Sequence, residues 1–175
     1  SNYICIREWI GRGYKPLLFL GSIMINNIAV KKVAEKKIND IGGFLVDLKI
    51  STSNVISLSF DKMDGVKFDD CFKITKFIED HFDRDIEDYE LNVSSAGIDN
   101  PFKVEQQYIK NIGNLVNVLL INGKRKSGKI LSYKNNKLTI EIIKKQKRTK
   151  KDNIIEEIVI PENEIKETKL KIKWK

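Results

Sequence analysis

Asp61, Asp64, Asp69 and Asp70 crowd one short stretch of the chain and raise the question of a metal. A calcium loop alternates oxygen ligands around a central glycine and closes on a glutamate. Asp61-Lys62-Met63-Asp64-Gly65 has the wrong spacing for that. The stretch reads instead as a solvated loop before a helix whose positive end Asp69 or Asp70 caps. His81 is the single histidine. General acid–base work needs a hydrogen-bonded partner and a nucleophile to serve. Asp80, Asp83 and Asp85 lie close in sequence, but no nucleophile accompanies them, so His81 reads as a surface residue near a helix end. Ser94-Ser95-Ala96-Gly97 is not the G-x-S-x-G elbow, and no Walker or dinucleotide motif occurs. Cys5 and Cys71 lack both C-x-x-C spacing and a histidine cluster, which excludes a zinc site. So low a cysteine count fits a reducing cytosol. The expectation is a non-enzyme with no catalytic residue, no metal and no cofactor.

Charge is the positive signal. The net charge is +8, but residues 1–101 carry −3 and residues 102–175 carry +11. An acidic half joined to a strongly basic half implies that the second half meets a polyanion, of which nucleic acid is the commonest. A merely solvated lysine-rich surface is the plainer alternative. The sharpest feature is the run 144–153, with Lys144, Lys145, Lys147, Arg148, Lys150 and Lys151. Lys124, Arg125, Lys126 and Lys129, around the Asn122-Gly123 turn, extend the patch. Phosphate contacts by such residues release counterions and make binding salt-dependent. Phe102, Tyr108, Tyr133 and Trp174 are too few for a base-stacking platform. Backbone or shape recognition of folded RNA fits better than single-strand reading.

The elements that must position these residues follow from hydrophobic period. With 175 residues and 41% hydrophobic content, the chain suits one large domain or two small ones with packed cores. No apolar run approaches the ~20 residues of a membrane span. Arg7, Arg12 and Lys15 precede an apolar stretch from Leu17 to Ile25, a loose imitation of a signal peptide without a clean cleavage site. Met24 is read as the initiator, and residues 1–23 as a non-native or disordered extension. From 27 to 41 a helix places Val30, Ala34, Ile38 and Ile41 on one stripe, and Gly42-Gly43 stops it. Residues 44–50 and 55–60 alternate as strands joined in a hairpin. A second helix runs to about Phe82 with Cys71, Ile74, Ile78 and Phe82 buried. Tyr89, Leu91 and Val93 mark a third strand. The order α-β-β-α-β gives a first domain, 24–96, with two helices on a three-stranded sheet.

Residues 94–101 break the period; Gly97 permits positive φ, and Pro101 pushes Asn100 out of helix. Residues 97–101 are therefore the linker. The rest, 102–175, is β-rich after a short helix within 102–112. Strands are expected at 115–121, 125–131, 137–143, 154–160 and 170–174. Five short strands imply a small barrel, so the whole is an α+β chain.

At the boundary the sequence becomes specific. Val93-Ser94-Ser95-Ala96-Gly97-Ile98-Asp99-Asn100-Pro101-Phe102 resembles the linker signature V-S-S-P-G-L-D-R-P-L of the RimP family of ribosome maturation factors. Gly65-Val66-Lys67-Phe68-Asp69-Asp70-Cys71 resembles that family's G-V-x-L-D-D-C, and Phe44-Leu45-Val46-Asp47 its L-V-D-V strand. Asn111-Ile112-Gly113-Asn114-Leu115-Val116 is similar to its G-x-x-V strand entry. The resemblance covers about 150 residues in order, and its linker motif falls on Ser94, Ser95, Gly97, Asp99 and Pro101. Two positions depart. Ala96 stands where the family has proline, which implies a more flexible linker, and Asn100 where it has arginine, which removes a cation.

The resemblance implies an α/β first domain and an Sm-like β-barrel second domain. It implies a cytoplasmic role in maturing the small ribosomal subunit without catalysis or cofactor. Partners implied are the free small subunit, its ribosomal RNA and small-subunit protein twelve, with the barrel domain making the contact. A monomer without membrane attachment is expected. Two rivals stand beside this reading. One is an Sm-like RNA-binding module unrelated to ribosome assembly, whose barrels would form a ring. The other is an enzyme built on the loop from Asp61 to Asp70.

Overall fold

The computed structural model describes residues 27–83, 88–144 and 154–172. The chain divides into two compact units, one ending at Ala96 and the other starting at Gly97.

In the first unit, α1 (Asn27–Asp40) buries Val30, Ala34 and Ile38, one residue per turn. Gly42, at φ 74°, ends it. β1 (Gly43–Ile50) and β2 (Val55–Lys62) form an antiparallel hairpin. α2 (Phe68–Glu79) then carries the chain across to β3 (Glu90–Ser95), which pairs with β2 in parallel. The sheet order is β1-β2-β3. β2 is central, so every second side chain is buried, Leu58 and Phe60 against Ala34, Ile38, Ile74 and Ile78, and Ile56 against Val30 and Tyr89.

Three details differ from the sequence reading. β2 continues through Asp61 and Lys62 instead of ending at Phe60. α2 stops at Glu79, because Asp80 bonds back to Lys76 and both His81 and Phe82 bond the carbonyl of Ile78, closing the last turn. Asp70 is not the residue that opens α2. Lys67 occupies that position, and Asp70 lies three residues further in, its carboxylate accepting the Lys67 N–H at 3.0 Å. That is the back-reaching half of a capping box. The same carboxylate meets Lys62 Nζ at 3.2 Å, with side-chain exposures of only 7% and 11%.

In the second unit, α3 (Glu105–Lys110) precedes β4 (Leu115–Leu120), β5 (Arg125–Lys134), β6 (Lys137–Lys144) and β7 (Ile154–Pro161). A 3₁₀ turn at Glu162–Glu164 leads into β8 (Ile165–Leu170). The sheet is antiparallel, with order β7-β6-β5-β4-β8. The expected barrel is thus a five-stranded sheet; among the described residues no ladder joins β7 to β8. Irregularities at Ile130/Ser132 and Leu119/Leu120 interrupt the register, the kind of feature that bends a strand. Val116, Val118, Leu120, Ile130, Leu138, Ile140 and Ile160 form the core with two stacked tyrosines, Tyr108 and Tyr133, at 4.5 Å. Burial pushes both phenols up in pKa; the Tyr108–Thr168 bond opposes the rise at Tyr108, and Glu162 reinforces it at Tyr133.

β8 corrects the expected last strand at 170–174. Its inward position is held by Thr168, fully buried, whose hydroxyl accepts from Tyr108 Oη at 3.2 Å. A polar residue in the core position hid the alternation. Asn135-Asn136, both at positive φ (51° and 57°), supplies a two-residue turn that the sequence reading passed over.

Gly128 marks the closest approach in this sheet. A Cβ built there would lie 2.5 Å from the Glu141 carbonyl oxygen, a backbone atom that cannot swing aside. Gly128→Ala is expected to destabilise the second unit by about 2 kcal/mol, read as a lower urea midpoint. An unchanged midpoint would mean that the β5–β6 spacing relaxes freely.

Candidate nucleic-acid interface

The hairpin between β4 and β5 is set by Asn122-Gly123. Gly123 donates to the Leu120 carbonyl at 2.9 Å and adopts φ 80°, while Leu120 donates to Lys124 at 2.9 Å. Asn122 Oδ1 accepts the Lys124 N–H at 3.0 Å. This is a three-residue loop with glycine at its left-handed position. It presents Lys124 exposed at the turn and starts β5 at Arg125.

Strand parity then sorts the cations, because successive side chains take opposite faces. Val116 and Val118 point to the core, so their register partners Gly128 and Lys126 share the inward parity. Lys126 is half-buried there. Arg125, Ser127 and Lys129, opposite Leu119, Asn117 and Leu115, share the outer face. β8 lies on the other side of β4, with Lys169 opposite Asn117 and Glu167 opposite Leu119. Lys171 donates its backbone N–H to Leu115 at 2.8 Å and its Nζ to Ser127 Oγ at 3.3 Å. The outer face of β5-β4-β8 therefore carries Arg125, Lys129, Lys169 and Lys171 around Asn117 and Ser127. A cleft of about 520 Å³ opens beside it, lined by Arg125, Lys126, Lys169, Asn117 and Ser127 and also by Asp99 and Glu167. Glu167 is engaged by Lys169 at 3.0 Å, so that one carboxylate on the face is already paired. The four cations offer point-charge and forked donors, and Asn117 and Ser127 offer neutral ones, a set that suits phosphate oxygens.

Of the sequence-expected cations, Lys124, Arg125 and Lys129 are exposed, and Lys126, of the other parity, is half-buried and lines the cleft. Lys144 ends β6, paired with Ile154. Because β5 and β6 are antiparallel, β6 ends at the end of the sheet where β5 begins. Lys145, Lys147, Arg148, Lys150 and Lys151 lie outside the described residues. Lys169 and Lys171 were missed because the last strand was expected too late; their alternation with Glu167 was the available signal.

The linker motif divides between the units. Ser94 and Ser95 end β3, paired with Ser59 and Phe60. Ala96 is buried, and its N–H donates to Phe60 at 2.9 Å. A proline has no such donor, so Ala96 fastens this point to the sheet instead of loosening it. Gly97 takes φ 74°, and Asp99 and Asn100 are exposed. Pro101 precedes Phe102, which donates to Thr168 at 2.9 Å and packs edge-on to Tyr108 at 5.1 Å.

The residues weighed for catalysis are otherwise occupied. His81 Nδ1 lies 2.7 Å from the Phe77 carbonyl, its ring 4.3 Å from that of Phe77. The Cys71 thiol is pushed up in pKa by burial and by Asp70, which disfavours the reactive thiolate. Among the described residues, no three His, Cys, Asp or Glu side chains converge as a metal site requires. No described helix is long and apolar enough to cross a membrane.

Comparison with known proteins places this geometry in a family. Residues 33–99 match the model of the RimP N-terminal domain. The chain is 32% identical over 121 residues to the ribosome maturation factor RimP of Porphyromonas gingivalis, covering 69% of this chain and 80% of that protein. It is 33% identical over 147 residues to the RimP of Christiangramia forsetii, covering 82% and 95%. With that of Flavobacterium psychrophilum it shares 41% over 75 residues, covering 43% and 49%. The chain belongs to the RimP family.

Proposed function

We propose that this RimP-family chain is a non-enzymatic, cytoplasmic ribosome maturation factor that binds the free small ribosomal subunit and assists its assembly. The observation that carries the reading is the convergence of Arg125, Lys129, Lys169 and Lys171 on one face of a sheet in a family whose members are named as maturation factors. The second unit acts as an Sm-like barrel and docks on ribosomal RNA in the region of small-subunit protein twelve. The protein works as a monomer and uses no cofactor.

The chemistry is that of positioning. Contacts to phosphate are independent of base sequence; they steer association and fix orientation. A factor that binds one RNA conformer better than its alternatives shifts the population toward that conformer. A tenfold shift requires about 1.4 kcal/mol of differential affinity. Lys144 ends β6 at the end of the sheet where β5 begins, and the basic run 144–151 adds six positive charges to this half of the chain.

Sucrose-gradient profiles of cells depleted of this chain test the reading. Free small subunits carrying unprocessed ribosomal RNA should accumulate, and an unchanged profile contradicts it. The loop has its own test. Changing Lys144, Lys145, Lys147, Arg148, Lys150 and Lys151 to serine should flatten the salt dependence of subunit binding. An unchanged slope would leave the loop idle.

A further inference from the structure

The cleft beside the basic face holds charges of opposite sign that do not meet. Two register rows cross it from β5 through β4 to β8, Arg125–Leu119–Glu167 and Ser127–Asn117–Lys169. At the ordinary spacing of strands, each row spans about 10 Å. The Phe102 N–H, bonded to the Thr168 carbonyl at 2.9 Å, fastens the end of the linker segment to β8, and Asp99 of that segment joins the lining. Glu167 already has Lys169 at 3.0 Å. Asp99 is exposed, and among the described residues no ion pair or hydrogen bond engages it. Leu119, half-buried, is an apolar spot in this polar lining. The volume, about 520 Å³, suits a small ligand. Phosphate contacts alone leave Asp99 unexplained, because a carboxylate repels a phosphate.

We infer that the cleft takes one unpaired guanosine of an RNA, an inference that rests on the RNA reading of this face and narrows it. The phosphate meets Arg125 and Ser127, the base lies against Leu119, and the Watson–Crick edge of the base meets Asp99. A carboxylate accepts only, and does so through two oxygens. Guanine is the base that presents two donors side by side on that edge, N1–H and the 2-amino group, so both oxygens are used in a charge-assisted pair. Adenine and cytosine offer one donor beside a ring-nitrogen lone pair, and uracil offers one between two carbonyls. With any of these, the second carboxylate oxygen faces a lone pair. Loops and bulges of folded RNA expose the required edge.

Titration of the full chain with uridine oligonucleotides that carry one guanosine, inosine, adenosine or cytidine at the centre provides the test. The guanosine oligonucleotide should bind at least about tenfold more tightly than the adenosine, cytidine or all-uridine ones, a difference of ~1.4 kcal/mol. Inosine, which lacks the 2-amino group, should fall between. Asp99→Asn should erase the preference, since an amide brings one acceptor and adds a donor. Asp99→Glu, which keeps the carboxylate, should retain part of it. Equal affinity for all the oligonucleotides, inosine equal to guanosine, or a preference that survives Asp99→Asn would overturn the inference. So would guanosine monophosphate binding as tightly as the guanosine oligonucleotide, since free nucleotide would then be the occupant. Salt-dependent binding without base preference would overturn the guanosine contact and leave the phosphate reading of the face standing, whereas loss of binding to every oligonucleotide and to the small subunit would remove both.

Discussion

Changing Arg125, Lys129, Lys169 and Lys171 together to serine is expected to weaken binding to free small subunits roughly a hundredfold at physiological salt. The slope of log affinity against log salt should fall by about three. Each phosphate contact contributes about 0.7 to 0.9 to that slope, so removing four removes most of a small interface's salt dependence. The side chains lie on the outer face, and their ion pair and hydrogen bond, Lys169 with Glu167 and Lys171 with Ser127, are surface interactions. Such pairs contribute about 0 to 1 kcal/mol each, so the variant should stay folded. Titration of labelled protein against purified subunits at several salt concentrations reads both. Equal slopes for the parent and the fourfold variant would remove this face from the interface.

The second large effect concerns stability. Asp70→Asn should destabilise the first unit by about 3 kcal/mol, because it leaves the Lys62 ammonium facing a neutral amide in a nearly buried site. Asp64, 3.8 Å from the same ammonium, is 69% exposed and compensates only in part. The effect carries a pH signature. The Lys67 N–H, opposed by burial and aided by Lys62, holds the Asp70 carboxyl below its usual 3.8. A carboxyl whose folded pKa is depressed stabilises the fold above its unfolded pKa and loses that contribution as pH falls through the folded value. Chemical denaturation should therefore show the parent losing stability below about pH 3.8, and Asp70→Asn losing less over the same window. Parallel curves for the two proteins would show that Asp70 does not carry the charge effect. Replacing both Lys62 and Asp70 by methionine should recover part of the loss, since two apolar side chains leave no buried charge unpaired.

The same residues show what was legible in the sequence. Val30, Ala34 and Ile38, and Ile56, Leu58 and Phe60, carry strong periods of about 3.6 and 2 residues, and their elements followed directly. Asn122-Gly123 named its turn through glycine's freedom at positive φ. The failures were of another kind. Asp70 does cap the helix, as its local chemistry allowed, but its second partner, Lys62, lies eight residues away on another element and was not legible. β8 was expected too late because its core position is a threonine, satisfied only by a tyrosine sixty residues earlier in the chain. Misplacing β8 hid Lys169 and Lys171. Tyr108 and Tyr133, too few for a stacking platform on the sequence alone, stack on each other in the core.

The most direct test of subunit-specific binding is co-sedimentation with purified small subunits, large subunits and full ribosomes, at low and high salt. Binding confined to the free small subunit and weakening with salt is the expected result. Equal binding to all three particles would reduce the basic face to general polyanion attraction, and no binding at either salt would contradict the maturation reading itself.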